Sequence, residues 1–239
     1  MGNRMLTGIA GLDELLQGGL RQGSSVLVTG APGTGKSILA LQFIVAGAKL
    51  GEPGLFISAE ESASQVRENA AALGLPLERY EKEGKITLIE QEMSSKKLVS
   101  IATPLAIIKK KGIKRVALDS LTLFGYMHVA GEADYRREVL SFIQTMKEAG
   151  VTLFATSEKT VTDTIVMQYQ AEDFLFDGMI MMIAVRRGAS FERVIHIVKM
   201  RGQNHLLDMF PFKIGSGGIT IFPDQIPFAL AGDEERKKR

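Results

Sequence analysis

The 239-residue sequence contains no cysteine. Disulfides and thiolate metal sites are therefore excluded, and a reducing compartment suits the chain. Net charge is also scarce, at a formal +2. Charge on that scale gives no argument for a nucleic acid or a membrane surface, so binding of either kind must rest on local patches. No apolar run reaches the roughly 20 residues that span a bilayer. The opening stretch MGNRMLTGIAGLDELL lacks the continuous apolar segment of a signal peptide. Its Met-Gly start does not complete a myristoylation pattern, because Leu6 stands where Ser or Thr is required. These absences lead to the expectation of a cytoplasmic protein with no membrane partner. Neither an internal repeat nor a linker is visible. A single domain is expected over 1–231, followed by a charged, disordered tail, GDEERKKR, at 232–239.

What is present is ordinary for a globular protein: 45% apolar and 23% charged residues. Short apolar runs alternate with longer helical patterns. Strands are expected at 25–30, 54–59, 85–90, 115–120 and 151–157, and helices at 36–51, 62–75, 95–111 and 132–150. Ser62 reads as an N-cap, and Gly51, Gly74 and Gly112 read as helix stops. Such alternation implies an α/β fold, with a mostly parallel sheet flanked by helices. After Phe174 the rhythm changes to DGMIMMIAVRR (177–187), FERVIHIVKMRG (191–202) and FPFKIGSGGITIF (210–222). These read as strands joined by short turns, which predicts a C-terminal antiparallel extension.

GAPGTGKS, from Gly30 to Ser37, satisfies G-x-x-x-x-G-K-[ST] between an expected strand and an expected helix. In such a loop the backbone of Gly30, Ala31, Pro32, Gly33, Thr34 and Gly35 curls so that N–H groups face a phosphate. The helix start adds its positive end. Lys36 is placed to reach the outer phosphates, and the Ser37 hydroxyl to bind Mg²⁺. A Mg²⁺ site needs a second anchor at a neighbouring strand end. RVALDS supplies Asp119 there. Hydrolysis also needs a group that orients or deprotonates water. Glu60 and Glu61 close the strand at 54–59 and are candidates, with Glu60 favoured and Glu158 the next place to look.

KMRGQNH, 199–205, places Lys199, Arg201 and His205 within seven residues, with no acid before Asp208. Strand alternation puts Lys199 and Arg201 on one side, and two cations aimed together need an anion.

Several segments share an order and spacing: TGIAGLDELLQGGL (7–20), the phosphate loop, SAEES (58–62), RVALDSLT (115–122), TSEK (156–159) and KMRGQNH. Together they resemble KaiC-type ATPases of the RecA-like superfamily, over about residues 7–222. The resemblance implies a RecA-like core, ATP or ADP with Mg²⁺, and a ring, usually a hexamer, with nucleotide between neighbouring copies. Glu60 and Glu61 fall on the family's acidic pair and Asp119 on its Walker-B aspartate. Lys199, Met200, Arg201 and His205 fall on the segment that reaches a neighbour's nucleotide. The anion that Lys199 and Arg201 need would then be an ATP phosphate on the adjacent chain.

There are departures. The clock protein of this family carries two tandem ATPase domains, and this chain has room for one. Its autophosphorylated Ser and Thr correspond to EDFLF (172–176), which has no hydroxyl; Thr160, Thr162 and Thr164 lie upstream and do not match. A clock-type autokinase cycle is not expected. No CxxC zinc module is present. In recombinase relatives the loops corresponding to 121–137 and 158–174 contact DNA. Here the first holds Phe124, Tyr126, His128, Arg136 and Arg137, which suit stacking or phosphate contact. The second holds Lys159 but also Asp163, Glu172 and Asp173, which repel phosphates. IKKKGIKR (108–115) reads as a solvated face that suits the helix dipole. The expected function is a ring-forming signalling ATPase that acts on an unidentified protein partner. The alternative is a DNA-dependent ATPase of recombination or repair. A protein kinase is a third reading, for which the sequence identifies no acceptor.

Overall fold

The computed structural model describes residues 3–91, 102–121, 124, 132–159 and 171–229. β1 (Arg4–Met5) and β2 (Leu20–Arg21) form a small antiparallel pair around α1 (Leu12–Leu15). Then follow β3 (Ser25–Gly30), α2 (Lys36–Lys49), β4 (Gly54–Ser58), α3 (Ala63–Ala72), α4 (Leu77–Lys82) and β5 (Ile86–Glu90). α5 (Ala102–Lys111), β6 (Arg115–Asp119), α6 (Glu132–Glu148) and β7 (Thr152–Glu158) complete the alternating part. A 3-10 turn at Ala171–Phe174 leads into β8 (Gly178–Arg187), β9 (Ser190–Met200), β10 (Met209–Gly215) and β11 (Gly218–Ile221).

Nine strands make one sheet in the order β11-β10-β9-β8-β3-β7-β6-β4-β5. β3 to β8 are mutually parallel, and β9 to β11 continue antiparallel. The antiparallel extension thus begins one strand later than the sequence suggests, because β8 runs parallel to β3. The segment expected as one strand over 210–222 folds back on itself as β10 and β11, with Gly215 opposite Gly218. α1, α4, β1 and β2 are too short to leave a periodic signal. The part of the expected 95–111 helix before Ala102, and the 232–239 tail, lie outside the described residues.

α2 is apolar almost all round and buries Leu39, Leu41, Phe43, Ile44 and Val45 on one face of the sheet. Each such side chain contributes roughly 1.5–3 kcal/mol when fully buried. Phe43 stacks on Phe154 of β7 with ring centroids 4.2 Å apart. The helix that carries the phosphate loop is therefore anchored to the sheet centre. α5 and α6 cover the opposite face, where Ile108, Val139, Phe142, Ile143 and Met146 pack on Leu27, Leu55 and Leu153.

Part of the glycine-rich lead is architectural. Asp13 accepts hydrogen bonds from the Thr7 backbone at 2.7 Å, the Thr7 hydroxyl at 2.8 Å and the Gly8 backbone at 3.1 Å. α3 starts with a capping box between Ser62 and Gln65, worth about 1 kcal/mol. Among the described residues no helix is long and apolar enough to cross a membrane.

Candidate nucleotide site

β3, β4, β6 and β7 end at the same edge of the sheet, so their following residues gather above it. After β3 the chain turns through Gly33 (φ +76°) and Gly35 (φ +106°) into α2. Both are left-handed conformations that glycine reaches at low cost. Two bonds tie the neighbouring strand ends to this point. The Lys159 backbone N–H donates to the Gly30 carbonyl at 3.0 Å, and the Ala59 N–H to the Asp119 carbonyl at 2.7 Å.

Pro32, Gly33, Gly35, Lys36 and Ser37 of the loop and Asp119, Glu60, Glu61 and Glu158 therefore line one cleft of about 740 Å³. Lys36 is buried, and its ammonium donates to the Ala31 carbonyl at 3.1 Å. Burial pulls its pKa down, while the carboxylates of Glu158, Asp119 and Glu60 oppose that pull. Asp119 is also buried, and burial raises its carboxyl above the usual range. Hydrogen bonds from Thr156 and Ser37 and the charge of Lys36 work against the rise, and the charge of Glu60 adds to it. The two neighbouring glutamates diverge. Glu60 accepts from the Ser120 hydroxyl beside Asp119, whereas Glu61 turns toward α3 and accepts from Asn69 at 3.0 Å.

Lys199 and Arg201 do share a direction. The Lys199 ammonium donates to the Asp173 carbonyl at 2.6 Å and the Arg201 guanidinium to the Phe174 carbonyl at 2.8 Å. The sequence offers these cations no nearby counter-charge, and in the structure the turn before β8 folds under them and gives each a carbonyl. Both partners are neutral carbonyls. Burial, then the Arg201 charge, lowers the Lys199 pKa, with Asp173 and Asp177 opposing. His205 is half-buried, with its Nδ1 3.0 Å from the Leu206 carbonyl.

These cations are far from their own phosphate loop. Met200 pairs with Gly178, Gly178 with Val26, and Gly30 with Met182. Four strand steps, about 13 Å, separate the two levels.

A family model described as "ATPase: KaiC" matches residues 5–226. The chain belongs to the KaiC ATPase family. The circadian clock oscillator protein KaiC of Parasynechococcus marenigrum (strain WH8102) is 34% identical over 230 residues, covering 92% of this chain and 45% of that protein. KaiC of Nostoc sp. (strain PCC 7120) is 33% identical over 231 residues, covering 92% and 44%. This chain therefore spans less than half the length of these curated relatives. The crystal structure of a KaiC-like protein from the hyperthermophilic archaeon Pyrococcus horikoshii OT3 superposes with a TM-score of 0.81 at 33% identity, over 93% of this chain and all of that one. The KaiC-type fold, a RecA-like α/β core with its antiparallel C-terminal strands, is thus shared along the described chain.

The cleft also holds residues that sequence reasoning missed. Thr156 reaches Asp119 from β7, and Ser120 reaches Glu60. Arg193 of β9 and Ile214 of β10 line the cleft from strands distant in sequence. No motif marks them, because only the sheet order brings them there. Two of the loop residues weighed for DNA contact are engaged elsewhere. Phe124 is buried against Phe142, with centroids 5.6 Å apart, and Lys159 forms a buried ion pair with Asp173. Tyr126, His128 and Asp163 lie outside the described residues.

Proposed function

We propose that residues 1–231 act as one Mg²⁺-dependent ATPase domain in the cytoplasm. It assembles as a ring, a hexamer by family resemblance, with ATP between neighbouring copies, and its nucleotide state controls a protein partner. One observation supports this above the others. The phosphate loop, Asp119 and Glu60 converge on one cleft, while Lys199 and Arg201 stand at the other end of the strands, a position suited to a neighbouring copy's nucleotide.

The residues present fit the expected ligands. Ser37 and Asp119 form an all-oxygen pair that suits a hard cation such as Mg²⁺. When bound, that ion neutralises charge on the outer phosphate oxygens. The backbone N–H groups of the loop from Gly33 to Ser37, at the start of α2, cradle phosphate, and Lys36 exchanges the Ala31 carbonyl for it. Glu60 is the base or water-orienting group, because it sits beside Asp119 and Ser120. Glu61, held by Asn69, supports the loop. Lys199, Met200, Arg201 and His205 form the contribution in trans. The burial of Phe124 and the Lys159–Asp173 pair weigh against the DNA-dependent alternative.

The test is turnover of ATP by the full chain, with and without Mg²⁺ and single-stranded DNA. Hydrolysis should require Mg²⁺, fall to background in Lys36→Ala, and change little with DNA. Undiminished turnover in Lys36→Ala would remove the reading. A tenfold rise with DNA that weakens steeply with salt would favour the recombination alternative.

A further inference from the structure

The sheet ends in two unlike edges, the four-residue β11 and the longer β5. In the β4–β5 pair, the Gly54 N–H donates to the Lys85 carbonyl at 2.9 Å and the Gln91 N–H to the Ser58 carbonyl at 2.8 Å. Thr87 and Ile89, in step with those two residues, also turn their backbone toward β4. The backbone N–H and C=O of Ile86, Leu88 and Glu90 consequently face away from the sheet. Among the described residues none of these groups has a hydrogen-bond partner. Along this edge Ile86 is buried, Thr87, Leu88 and Ile89 are half-buried and Glu90 is exposed, so the accessible part runs from Leu88 to Glu90. An accessible edge of this kind is a template for another strand.

Glu90 puts one carboxylate on the edge, engaged by the Ala63 backbone N–H at 3.0 Å, and the charge beside it on α5 is positive. α5 ends in Lys109, Lys110 and Lys111, all exposed. The Lys111 ammonium donates to the Thr87 hydroxyl at 2.9 Å, which places this helix end against β5. No carboxylate pairs with the three lysines among the described residues. Across the strand, α4 has spent its acids: Glu78 on Lys82, Glu81 on Arg67, and the following Glu83 on Arg79 and Lys85. Lysines at an edge also discourage self-pairing, since two copies would bring their lysines together. The same charge attracts an acidic chain.

We propose that the open edge of β5, with Lys110 and Lys111 beside it, takes up an extended acidic peptide segment of a partner protein as a tenth strand. The backbone of Leu88 and Glu90 supplies the hydrogen bonds, and the lysines select the charge. Strand addition favours a peptide over a nucleic acid, because the outward groups alternate donor and acceptor at peptide spacing.

The probe is a fluorescein-labelled, end-capped heptapeptide of alternating glutamate and valine, titrated into the full chain at low salt. Saturable anisotropy is expected, together with slowed amide exchange at Leu88 and Glu90. Lys110→Glu combined with Lys111→Glu should weaken binding about tenfold or more, with nucleotide binding unchanged as the check on folding. N-methylation of the peptide in one of its two alternating phases removes the pairing N–H groups and keeps the charge, and should do the same. Full affinity after N-methylation in both phases, or equal competition by a single-stranded oligonucleotide, would make this a plain polyanion surface and overturn the proposal. So would the lack of saturable binding at millimolar peptide, which would leave the lysines as guards of the edge.

Discussion

Arg115 crosses α2 at Gly47, where an added Cβ would collide with the Arg115 side chain. The guanidinium is fully buried and lies 4.8 Å from the centre of the Phe43 ring. It donates to the carbonyls of Leu6 at 2.7 Å, Thr7 at 3.2 Å and Phe43 at 3.1 Å, and to the Glu52 carboxylate at 2.7 Å. One side chain thereby ties the N-terminal lead, α2 and the start of β4 to β6.

Arg115→Ala should cost about 3–5 kcal/mol, because it strands three carbonyls and opens a cavity. Gly47→Ala would favour an isolated helix by about 1 kcal/mol, yet here it should destabilise by roughly 1–3 kcal/mol through overpacking. Urea unfolding of both variants measures this. A Gly47→Ala protein more stable than the parent would show that Arg115 moves freely, against the bonding described above.

Asp119 links the site to pH. Its folded pKa is raised, so the folded state holds this proton longer than the unfolded state does. Between the ordinary aspartate value of about 3.9 and the higher folded value, its contribution to stability falls as pH rises. Asp119→Asn should remove that component from the metal-free melting profile. In the parent, Mg²⁺ with ATP should stabilise increasingly as pH climbs through the folded value, because the ion requires the carboxylate. Identical pH profiles for parent and variant, with and without Mg²⁺ and ATP, would remove Asp119 from the metal site.

The strands of the sheet were legible in the sequence because parallel strands buried on both faces are continuous apolar runs. SVLVTG and RVALDS show this plainly, and their ends carry the phosphate loop and Asp119. Cooperation across the fold was not legible. Neither the divergence of Glu60 and Glu61, set by Ser120 on one side and Asn69 on the other, nor the approach of Arg193 leaves any spacing to read. The same holds for the Asp173 and Phe174 carbonyls beneath Lys199 and Arg201, which depend on a turn closing against β9.

That divergence separates the two glutamates in function. Glu60→Gln should reduce turnover by roughly 10²–10⁴, the usual span for a general base, while ATP binding changes little. Glu61→Gln should lose only the Asn69 contact and keep most activity. Single-turnover rates and nucleotide affinity for each variant distinguish the roles. Normal hydrolysis by Glu60→Gln with loss in Glu61→Gln would reverse the assignment, and two active variants would direct attention to Glu158 beside Lys36.

The position of Arg201 sets the last prediction. It lies past Met200, about 13 Å of strand below its own phosphate loop, which favours a role at a neighbour's nucleotide over its own. A neighbour's arginine on the transferring phosphoryl group is worth roughly 10³–10⁵ in rate in GTPases. The loss here should be smaller, because Lys199 remains beside it. Arg201→Ala should bind ATP on an intact loop and hydrolyse it poorly. Lys36→Ala should fail for the opposite reason, with a damaged loop and an intact Arg201. Mixing the two inactive proteins should rebuild interfaces in which Lys36 of one copy faces Arg201 of another, so turnover should partly return. Fluorescence transfer between labelled copies establishes that subunits exchange. Exchange without any recovery of hydrolysis would show that Arg201 completes no neighbour's site, and the ring would lose the observation that now supports it best.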